Sequence, residues 1–534
     1  MLKFRRRLLG ATCAVAALAL ALPLAAEAQT ERLVMAMTPP AGDTNLFWGS
    51  SGDLSLFLSM GRLVGNDAET GEYSNDGLAE RWEANDDFSE WTFYLKEGVE
   101  FHDGWGEVTA ADVVHSYELN TGPDSQHSGV AQLRGATPEI IDDHTLKLVF
   151  DEPRQGFLFS VASRGSLVVY SKAQYEAEGM EGYQRRPAGT EHFRLVERRI
   201  GEGVTFERVE DHWSGEDATF QEIDIRWVGE PSTKLAMMLA GEAHIADLPP
   251  ELMGDAVEAG MEIVASLNPS MHVTGVLNGL YMTEGDEAFN PDVPWLDIRI
   301  REAMNRAIDR EQYLEILYDG RADLLPRYGM DPRHEGWVPE LAERFDEMYG
   351  YDPERAKELL AEAGYPENFA SPVVPIILTA LGGNPEFGTM AELFQVSFEE
   401  IGLQTEMREM DWATLRALGL GRQAYVVNPI RNAPIRPTEV HFLNTYTPTG
   451  SPFEGWEDDH MIGLINKFVN SFDADEREAI AQEAFTYAFE QYSDLPIAAV
   501  RTEVAINPEV VADWRFPGVT TNGISHWHLI EPAS

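Results

Sequence analysis

Residues 91–117, WTFYLKEGVEFHDGWGEVTAADVVHSY, place a strand and a turn in direct succession and decide how the surrounding chain folds. Trp91, Phe93 and Leu95 alternate with Thr, Tyr and Lys, which is the period of a half-buried strand. The polar residues 102–104, HDG, then form a turn that ends in a residue able to take a positive φ. We therefore predict a strand that leads through a tight turn into the next element.

A helix is predicted to begin directly after this turn. Thr109 and Asp112 stand three positions apart, as the two members of a capping box do. The run LKEGVEFHDG at 95–104, followed by TAADVV at 109–114, resembles the signature of the family 5 solute-binding proteins of ABC transporters, the peptide and nickel type. This resemblance implies an α/β fold of two lobes, like the class II periplasmic binding proteins, with an extra α/β subdomain inserted in lobe I.

Other motifs that resemble this family follow in the same order along the chain. DIRIREAMNRAIDR at 297–310 is one, and we expect its arginines on the helix surface and between the lobes. DPERAKELLAEAGYP at 352–366 is another, with Asp352 as N-cap and Gly364 as the residue after the C-cap. The implied organisation is a signal peptide at 1–28, a lobe I core at 29–75, 190–272 and 495–534, an inserted subdomain at 76–189, and lobe II at 273–494.

The chain opens with the features of an export signal. Basic residues at 3–7 precede an apolar run at 8–24 and a small-residue site that ends at Ala28. We predict cleavage after Ala28 and a periplasmic location, with a membrane anchor as the alternative. Cys13, the only cysteine, lies inside this segment, so the mature chain is expected to have no disulfide and no thiol chemistry.

The charge balance is strongly acidic. The chain has 90 acidic and 40 basic residues and a net charge of −50, which becomes −53 once a leader with four basic residues and one acidic residue is removed. Only 7 of the basic residues are lysine, a bias that favours a surface adapted to salt, although an acidic, arginine-rich proteome is an equal explanation. Such a surface repels nucleic acid and anionic membranes, and we expect neither as a partner.

The sequence carries no motif of a known enzyme class. A nucleophile elbow, a P-loop, the HExxH helix and a dinucleotide fingerprint are all missing. His102 and Asp103 resemble a catalytic dyad, but their position beside Gly104 favours a structural turn. His526 and His528 would put two imidazoles on one face of a strand, where a solvated pair is a simpler interpretation than half a metal site. We predict no enzyme activity, no metal and no cofactor.

The resemblance implies a ligand held between the lobes by hinge closure and delivered to the membrane permease of an ABC importer, with the binding protein a monomer. Residues 425–442 occupy the place where peptide-binding members carry an aspartate for the peptide amino group. Here no Asp occurs from 423 to 440, and arginines are present instead. We predict a small peptide or peptide-like solute, with an oligosaccharide, an opine or another organic anion as the alternative. A secreted hydrolase of unrecognised type is the second alternative.

Candidate ligand-binding residues are chosen by their place along the chain. An arginine in a cleft favours a carboxylate or a phosphate, although Arg431 and Arg436 could equally be surface residues that balance nearby acids. The candidates from lobe I are Asn45 and Trp48, and those from the crossover and lobe II are Asn278, Tyr281, Trp412, Asn428, Arg431, Asn432, Arg436, Tyr446 and Trp456.

Overall fold

The structure is a computed structural model that describes residues 32–40, 43–47, 54–125, 133–162, 167–378, 386–433, 436–448, 455–519 and 524–534. The predicted leader at 1–28 and the candidate Trp48 lie outside these ranges, so the signal peptide and its cleavage site stay predictions. Within the described ranges, every helix is too short or too polar to cross a membrane.

The described residues form twenty-three strands. They are β1 Arg32–Met37, β2 Gly65–Asn66, β3 Tyr73–Ser74, β4 Ala79–Ala84, β5 Glu90–Leu95, β6 Ala136–Asp142, β7 Thr145–Phe150, β8 Phe193–Arg199, β9 Gly203–Arg208, β10 Glu222–Trp227, β11 Ile245–Ala246, β12 Glu262–Ala265, β13 Met271–Leu277, β14 Leu280–Tyr281, β15 Asp323–Leu324, β16 Val374–Leu378, β17 Thr405–Glu409, β18 Val427–Asn432, β19 Trp456–Glu457, β20 Asp494–Val500, β21 Glu503–Ile506, β22 Val511–Trp514 and β23 Ile530–Pro532.

Fifteen α-helices are formed by the same described residues. They are α1 Ala110–Thr121, α2 Leu158–Ala162, α3 Lys172–Arg185, α4 Pro231–Leu239, α5 Pro250–Glu258, α6 Ile298–Arg306, α7 Arg310–Tyr318, α8 Glu340–Glu343, α9 Phe345–Tyr349, α10 Pro353–Glu362, α11 Glu386–Glu400, α12 Trp412–Leu420, α13 Thr438–Tyr446, α14 Asp459–Val469 and α15 Ala474–Glu490.

Two large mixed sheets divide the molecule into lobes. The first sheet has the strand order β12-β21-β11-β1-β10-β9-β8, and the second has the order β15-β20-β13-β18-β16-β17. Each sheet packs against its own apolar core, and the helices α6 to α15 surround the second sheet. The predicted α/β class and the two-lobed organisation are confirmed.

One boundary of the predicted division differs from the strand pairing. β20 pairs antiparallel with β13, so Asp494–Val500 belongs to the second sheet and not to lobe I. The chain re-enters the first sheet only with β21, which pairs with β11 and β12. The error arose because an apolar strand near the end of a chain fits either sheet equally well by pattern. The remaining ranges of the division stay a prediction.

A third, four-stranded sheet of order β4-β5-β7-β6 lies within the predicted insertion. Along β5 the side chains alternate between half-buried and buried, and Trp91, Phe93 and Leu95 enter a separate apolar core. β7 pairs with β5 on the side opposite β4, and β6 forms a hairpin with β7. The segment 91–117 is therefore the centre of its own small unit, as its pattern predicts.

The turn and the helix start after β5 also match the prediction. Residues His102–Gly104 form one 3-10 turn in which Asp103 and Gly104 both have positive φ, 63° and 76°. The backbone N–H of Thr109 donates to Oδ2 of Asp112 at 2.9 Å, which is the expected capping box. Side chains that lie only a few residues apart therefore determine the backbone conformation of residues 102–112.

Two local expectations are wrong. Arg301 and Arg310 of the 297–310 motif are buried, because each folds back into lobe II and donates to backbone carbonyls. The segment around His526 and His528 is not a strand, since His526 has φ 54° and Trp527–Leu529 form a 3-10 turn. In both places a polar side chain finds partners from distant segments, which local pattern does not reveal.

Candidate functional site

The second sheet has one edge at which four parallel strands end. β16, β17 and β18 run in one direction, and β20 shares it because β18 and β20 both pair antiparallel with β13. The carboxyl ends of these four strands therefore meet the amino end of β13 at one edge of the sheet. Open α/β sheets bind ligands outside the carboxyl ends of their strands. We call this edge of lobe II the ligand edge.

Four of the candidate residues lie at the ligand edge. Arg431 and Asn432 are the last residues of β18, Arg436 follows them, and Trp412 opens the helix after β17. Arg431 is already engaged, because its Nη1 lies 3.2 Å from Oε1 of Glu386 in an ion pair. The prediction that residues 425–442 contribute to the cleft thus agrees with where the strand directions place them.

A small cavity of about 10 Å³, which has room for roughly one water molecule, lies at this edge. Nδ2 of Asn432 donates to the hydroxyl of Tyr328 at 3.1 Å, and the backbone N–H of Gly329 donates to Nδ1 of His272 at 3.3 Å. The residues that line it are His272, Tyr328, Gly329, Asn432, Ala433, Arg436 and His441. The lining therefore combines a guanidinium, a phenol, an amide and two imidazoles.

The cavity carries one positive charge at neutral pH. Burial lowers the pKa of His272 to about 4 and takes the pKa of His441 well below its usual value, so both imidazoles are neutral. Burial also lowers the pKa of Arg436, but a guanidinium starts so high that it stays protonated. Arg436 is thus the group in this lining that favours an anion.

The inserted subdomain covers the ligand edge from the side of lobe I. Nε2 of Gln155 donates to the carbonyl of Ser471 at 3.0 Å, and the N–H of Gly156 donates to Oε2 of Glu439 at 3.3 Å. Phe159 packs in a small apolar cluster with residues that flank both large sheets. The inserted subdomain therefore contacts the second lobe beside the cavity.

A larger open groove of about 550 Å³ lies in lobe II. It is formed by Trp337, His460, Tyr487 and several glutamates, and no candidate residue lines it. The smaller cavity lies at the carboxyl ends of the strands, whereas the groove is more open to solvent.

Four candidates lie away from the ligand edge. Asn278 and Tyr281 follow the carboxyl end of β13, which is at the opposite edge because β13 runs against its neighbours. Trp456 pairs there with Leu280 in a short parallel ladder, and it is buried in the core of lobe II. Asn428 is buried at the same end of β18. The structure does not bring these residues to the cavity.

Tyr446 and Asn45 have structural partners. The hydroxyl of Tyr446 accepts a hydrogen bond from the buried guanidinium of Arg327 in the interior of lobe II. Oδ1 of Asn45 accepts from Nε of Arg198 at 2.6 Å, which anchors the loop after β1 to β8. Trp48 lies outside the described residues. Both described side chains hold backbone segments in place and leave little of their surface for a ligand.

Five of the seven lining residues were missed by pattern, and three of these five carry polar side chains. His272 stands at the amino end of β13, and Tyr328 lies in an irregular loop that carries no periodic signal. His441 belongs to the first turns of the helix after residues 425–436. His441 lies within residues 425–442, the segment that departs from the family pattern, and this was the one signal for it in the sequence.

Comparison with known proteins agrees with this geometry. The family model described as "Bacterial extracellular solute-binding proteins, family 5 Middle" matches residues 75–446, more than half of the chain. The chain belongs to family 5 of the bacterial extracellular solute-binding proteins. The match includes the inserted subdomain with its 91–117 segment and extends through α13, so the residues that line the cavity of this family 5 protein lie within the matched region.

Curated relatives and a solved structure support the same assignment. This family 5 protein is 28% identical to heme-binding protein A of Haemophilus influenzae, over 64% of this chain and 62% of that protein. It is 26% identical to the dipeptide-binding protein of Escherichia coli, over 73% of this chain and 74% of that protein. The chain thus spans less than two thirds of the first relative. HbpA2 from Haemophilus parasuis superposes with a TM-score of 0.75 at 20% identity, over 94% of this chain and 100% of the other, which shows the shared fold.

Proposed function

We propose that this protein is the extracytoplasmic solute-binding component of an ABC importer. It captures a small solute at the ligand edge, closes its lobes and presents the closed form to the membrane permease. The single observation that carries this proposal is the small cavity at the carboxyl ends of the second sheet, covered by the inserted subdomain of the other lobe. Location in the periplasm, after cleavage at Ala28, and a monomeric state belong to the same proposal.

Closure explains how such a protein signals that it is loaded. A ligand that contacts both lobes favours the closed form only through contacts that the open form lacks. The contacts of Gln155 and Gly156 with lobe II belong to the closed form, and a bound solute adds to them. Hinge closure around ligands is a common motion of two-lobed binding proteins. The permease then distinguishes loaded from empty protein by shape.

We propose a small peptide or peptide-like solute that presents a carboxylate to Arg436. A guanidinium binds a carboxylate with two parallel hydrogen bonds, and the low dielectric of a buried site strengthens that contact. Asn432 and Tyr328 supply neutral polar groups for amide or hydroxyl groups of the ligand. The dipeptide-binding relative in Escherichia coli supports the peptide class.

A non-peptide organic anion is the second candidate, favoured by one observation. No aspartate occurs from 423 to 440, so this segment offers no aspartate carboxylate for a peptide amino group. The heme-binding relative in Haemophilus influenzae shows a named ligand other than a peptide among the chain's homologues. Enzyme activity is not part of the proposal, because the cavity lacks a paired nucleophile and base among its lining residues.

Calorimetry with a matched ligand set tests the proposal. Native mass spectrometry of protein purified from its own host first identifies any retained solute. Peptides with a free or an amidated carboxyl terminus, and with a free or an acetylated amino terminus, are then titrated. We expect Arg436→Gln to lose on the order of 2–5 kcal/mol of binding free energy, as loss of one partner of a buried charge pair does.

Arg416→Gln is the matched control, because Arg416 is an exposed arginine on α12. It is expected to bind like the wild type. Wild-type affinity in Arg436→Gln would remove the arginine from the site. Two results together would contradict the binding role: an affinity that does not change when the carboxyl terminus of the peptide is amidated, and chemical conversion of the solute. They would indicate an enzyme instead.

A further inference from the structure

A second set of polar groups meets at the ligand edge, on the other face of the second sheet from the cavity. Successive side chains of a strand alternate between its two faces, so Arg431 points away from the face on which Asn432 lines the cavity. Glu386 opens α11, which follows the carboxyl end of β16. Tyr318 ends α7, shortly before β15 pairs with β20 near the carboxyl end of that strand. We call Tyr318, Glu386 and Arg431 the edge cluster.

The ion pair inside the edge cluster is a loose one. Nη1 of Arg431 donates to Oε1 of Glu386 at 3.2 Å, which is longer than the roughly 2.7–2.9 Å of most hydrogen bonds between charged groups. The two side chains are 28% and 12% exposed, so water reaches the pair and weakens it. A group of a ligand can therefore exchange with the carboxylate of Glu386 at small cost.

The hydroxyl of Tyr318 is a buried donor that has no hydrogen-bond partner in the described part of the chain. Tyr318 is 6% exposed, and its pKa is raised by burial first and by the carboxylate of Glu386 second, while Arg431 lowers it. Both charges of the cluster thus lie near this phenol. A buried hydroxyl without a partner is unfavourable, and it gains most from an acceptor that enters from outside.

Three features of the cluster favour a negative group at this place. They are the guanidinium of Arg431, the O–H of Tyr318, and the amino end of α11, a helix of 15 residues whose dipole attracts an anion. The carboxylate of Glu386 is the anion that the chain itself supplies. An ammonium group would meet positive charge or a donor from all three, so the surroundings select a carboxylate.

We propose that Glu386 stands in for an acidic group of the solute in the empty protein. In the loaded protein a carboxylate of the solute accepts hydrogen bonds from Arg431 and Tyr318, and Glu386 turns toward solvent. The solute carboxylate gains the donor of Tyr318, which Glu386 leaves without a partner. Glu386 is therefore a competitor that the solute must displace, and it rejects groups that pair with Arg431 less well than it does.

This inference rests on the proposed function and narrows its solute. There the terminal carboxylate of a peptide binds Arg436, which lines the cavity. The edge cluster lies at the same edge and shares no residue with that lining, so it takes a second acidic group. The solute class is accordingly a small peptide that carries an acidic side chain.

Competition within a pool of dipeptides tests the proposal. The protein is dialysed extensively to release retained solute and mixed with a pool in which every Glu or Asp peptide has a Gln or Asn counterpart of the same shape. Native mass spectrometry of the complexes gives the ratio of acidic to amide peptides that are retained. We expect the wild type to retain the acidic members in excess.

Two conservative variants and one control make the result specific. Glu386→Gln removes the competing charge and should raise the acidic-to-amide ratio at least about threefold. Tyr318→Phe removes the unpartnered hydroxyl, so it should lower the ratio at least about threefold while the melting temperature of the empty protein stays unchanged or rises. Glu392→Gln removes an exposed charge from the same helix and should give the wild-type ratio.

The outcomes distinguish this inference from the proposed function. Opposite changes of the ratio in Glu386→Gln and Tyr318→Phe, with the control unchanged, support the inference. A wild-type ratio in either variant overturns it, and so does a lower ratio in Glu386→Gln, because Glu386 then binds the solute directly. Retention of no peptide by the wild type or by Glu386→Gln overturns the peptide solute of the proposed function as well.

Discussion

At the residue scale, two arginines of α6 that stand two positions apart have opposite environments. Arg301 is 2% exposed and donates to three backbone carbonyls, including those of Gln491 at 2.8 Å and Trp295 at 2.9 Å. Arg299 lies on the surface in an ion pair with its own N-cap residue. Burial lowers the pKa of Arg301 to about 10, and the charges of Asp297 and Asp458 offset this effect only in part.

We expect Arg301→Met to destabilise the protein by about 3 kcal/mol or more, because buried carbonyls lose their donor and each costs about 1–3 kcal/mol. Arg299→Met removes an exposed ion pair and should cost about 1 kcal/mol at most. Urea unfolding midpoints of both variants measure the difference. Equal losses would contradict the structural role that we assign to Arg301.

The buried imidazole of His272 should make the free energy of unfolding depend on pH. Burial lowers the pKa of this imidazole from 6.5 to about 4, so the unfolded chain binds a proton more readily than the folded one. Stability from this group is therefore complete above pH 6.5 and falls as the pH drops toward 4. At a pH of about 4.5 the loss should be about 2–3 kcal/mol from this residue alone.

Unfolding midpoints measured across this pH range test the prediction. His272→Gln cannot gain a proton and should flatten the slope, while His460→Gln should leave it unchanged because His460 is exposed. Burial also lowers the pKa values of His212 and His102 to about 4. Part of the pH dependence of stability will therefore remain in the His272→Gln variant. An unchanged slope in His272→Gln would contradict a neutral, buried imidazole.

At the element scale, Gly189 and Gly104 of the predicted insertion require glycine for different reasons. A Cβ on Gly189 would lie 1.8 Å from the carbonyl oxygen of Ser59, which is backbone and cannot move aside. That carbonyl also accepts from the N–H groups of Thr190 and Glu191, so it fixes the segment before β8. Gly104 has φ 76° and no atom near its missing Cβ.

Gly189→Ala should therefore displace the segment before β8 and prevent folding or cost more than about 3 kcal/mol, as severe overpacking does. Gly104→Ala should cost about 1 kcal/mol, which is the penalty of a left-handed conformation alone. Circular dichroism and thermal unfolding of the two variants give the comparison. A mild effect at Gly189 would mean that the segment adapts freely.

The elements themselves were largely predictable. Thr109 with Asp112, and Asp352 with Pro353 and Gly364, carry the start and stop signals of α1 and α10 in side chains a few residues apart. Such signals work because they satisfy the free N–H and C=O groups at helix ends wherever the helix lies in the fold. The burial of Arg301 had no local signal, because it depends on packing against a distant segment whose Gln491 carbonyl accepts from its Nε.

At the scale of the whole molecule, the large negative net charge predicts that the stability of the protein depends on salt concentration. A mature charge of −53 repels itself in the compact state, and salt shortens the Debye length from about 10 Å at 0.1 M to about 3 Å at 1 M. We expect the unfolding midpoint to rise with KCl over this range. An unfolding midpoint that does not change with KCl would indicate that the acidic composition is a feature of the proteome and not an adaptation to salt.

Closure can be followed by fluorescence energy transfer. Cys13 is the only cysteine in the sequence. In a chain that starts after the predicted leader, Ile140→Cys in the inserted subdomain and Leu420→Cys on α12 therefore place one dye on each lobe at exposed positions. We expect a bound solute to change the transfer efficiency to a single closed value. Each cysteine placed alone serves as the control for dye effects, and an efficiency that ignores bound solute would contradict hinge closure.

The sequence by itself determined the α/β class, the strand, turn and helix of 91–117, and the family to which the chain is similar, because these rest on side-chain periodicity and local capping. Only the tertiary structure decided which candidates share a site. The antiparallel course of β13 sends Asn278 and Tyr281 to one edge and leaves Arg431 and Arg436 at the other. Strand direction depends on pairing between distant segments, and no local pattern encodes it.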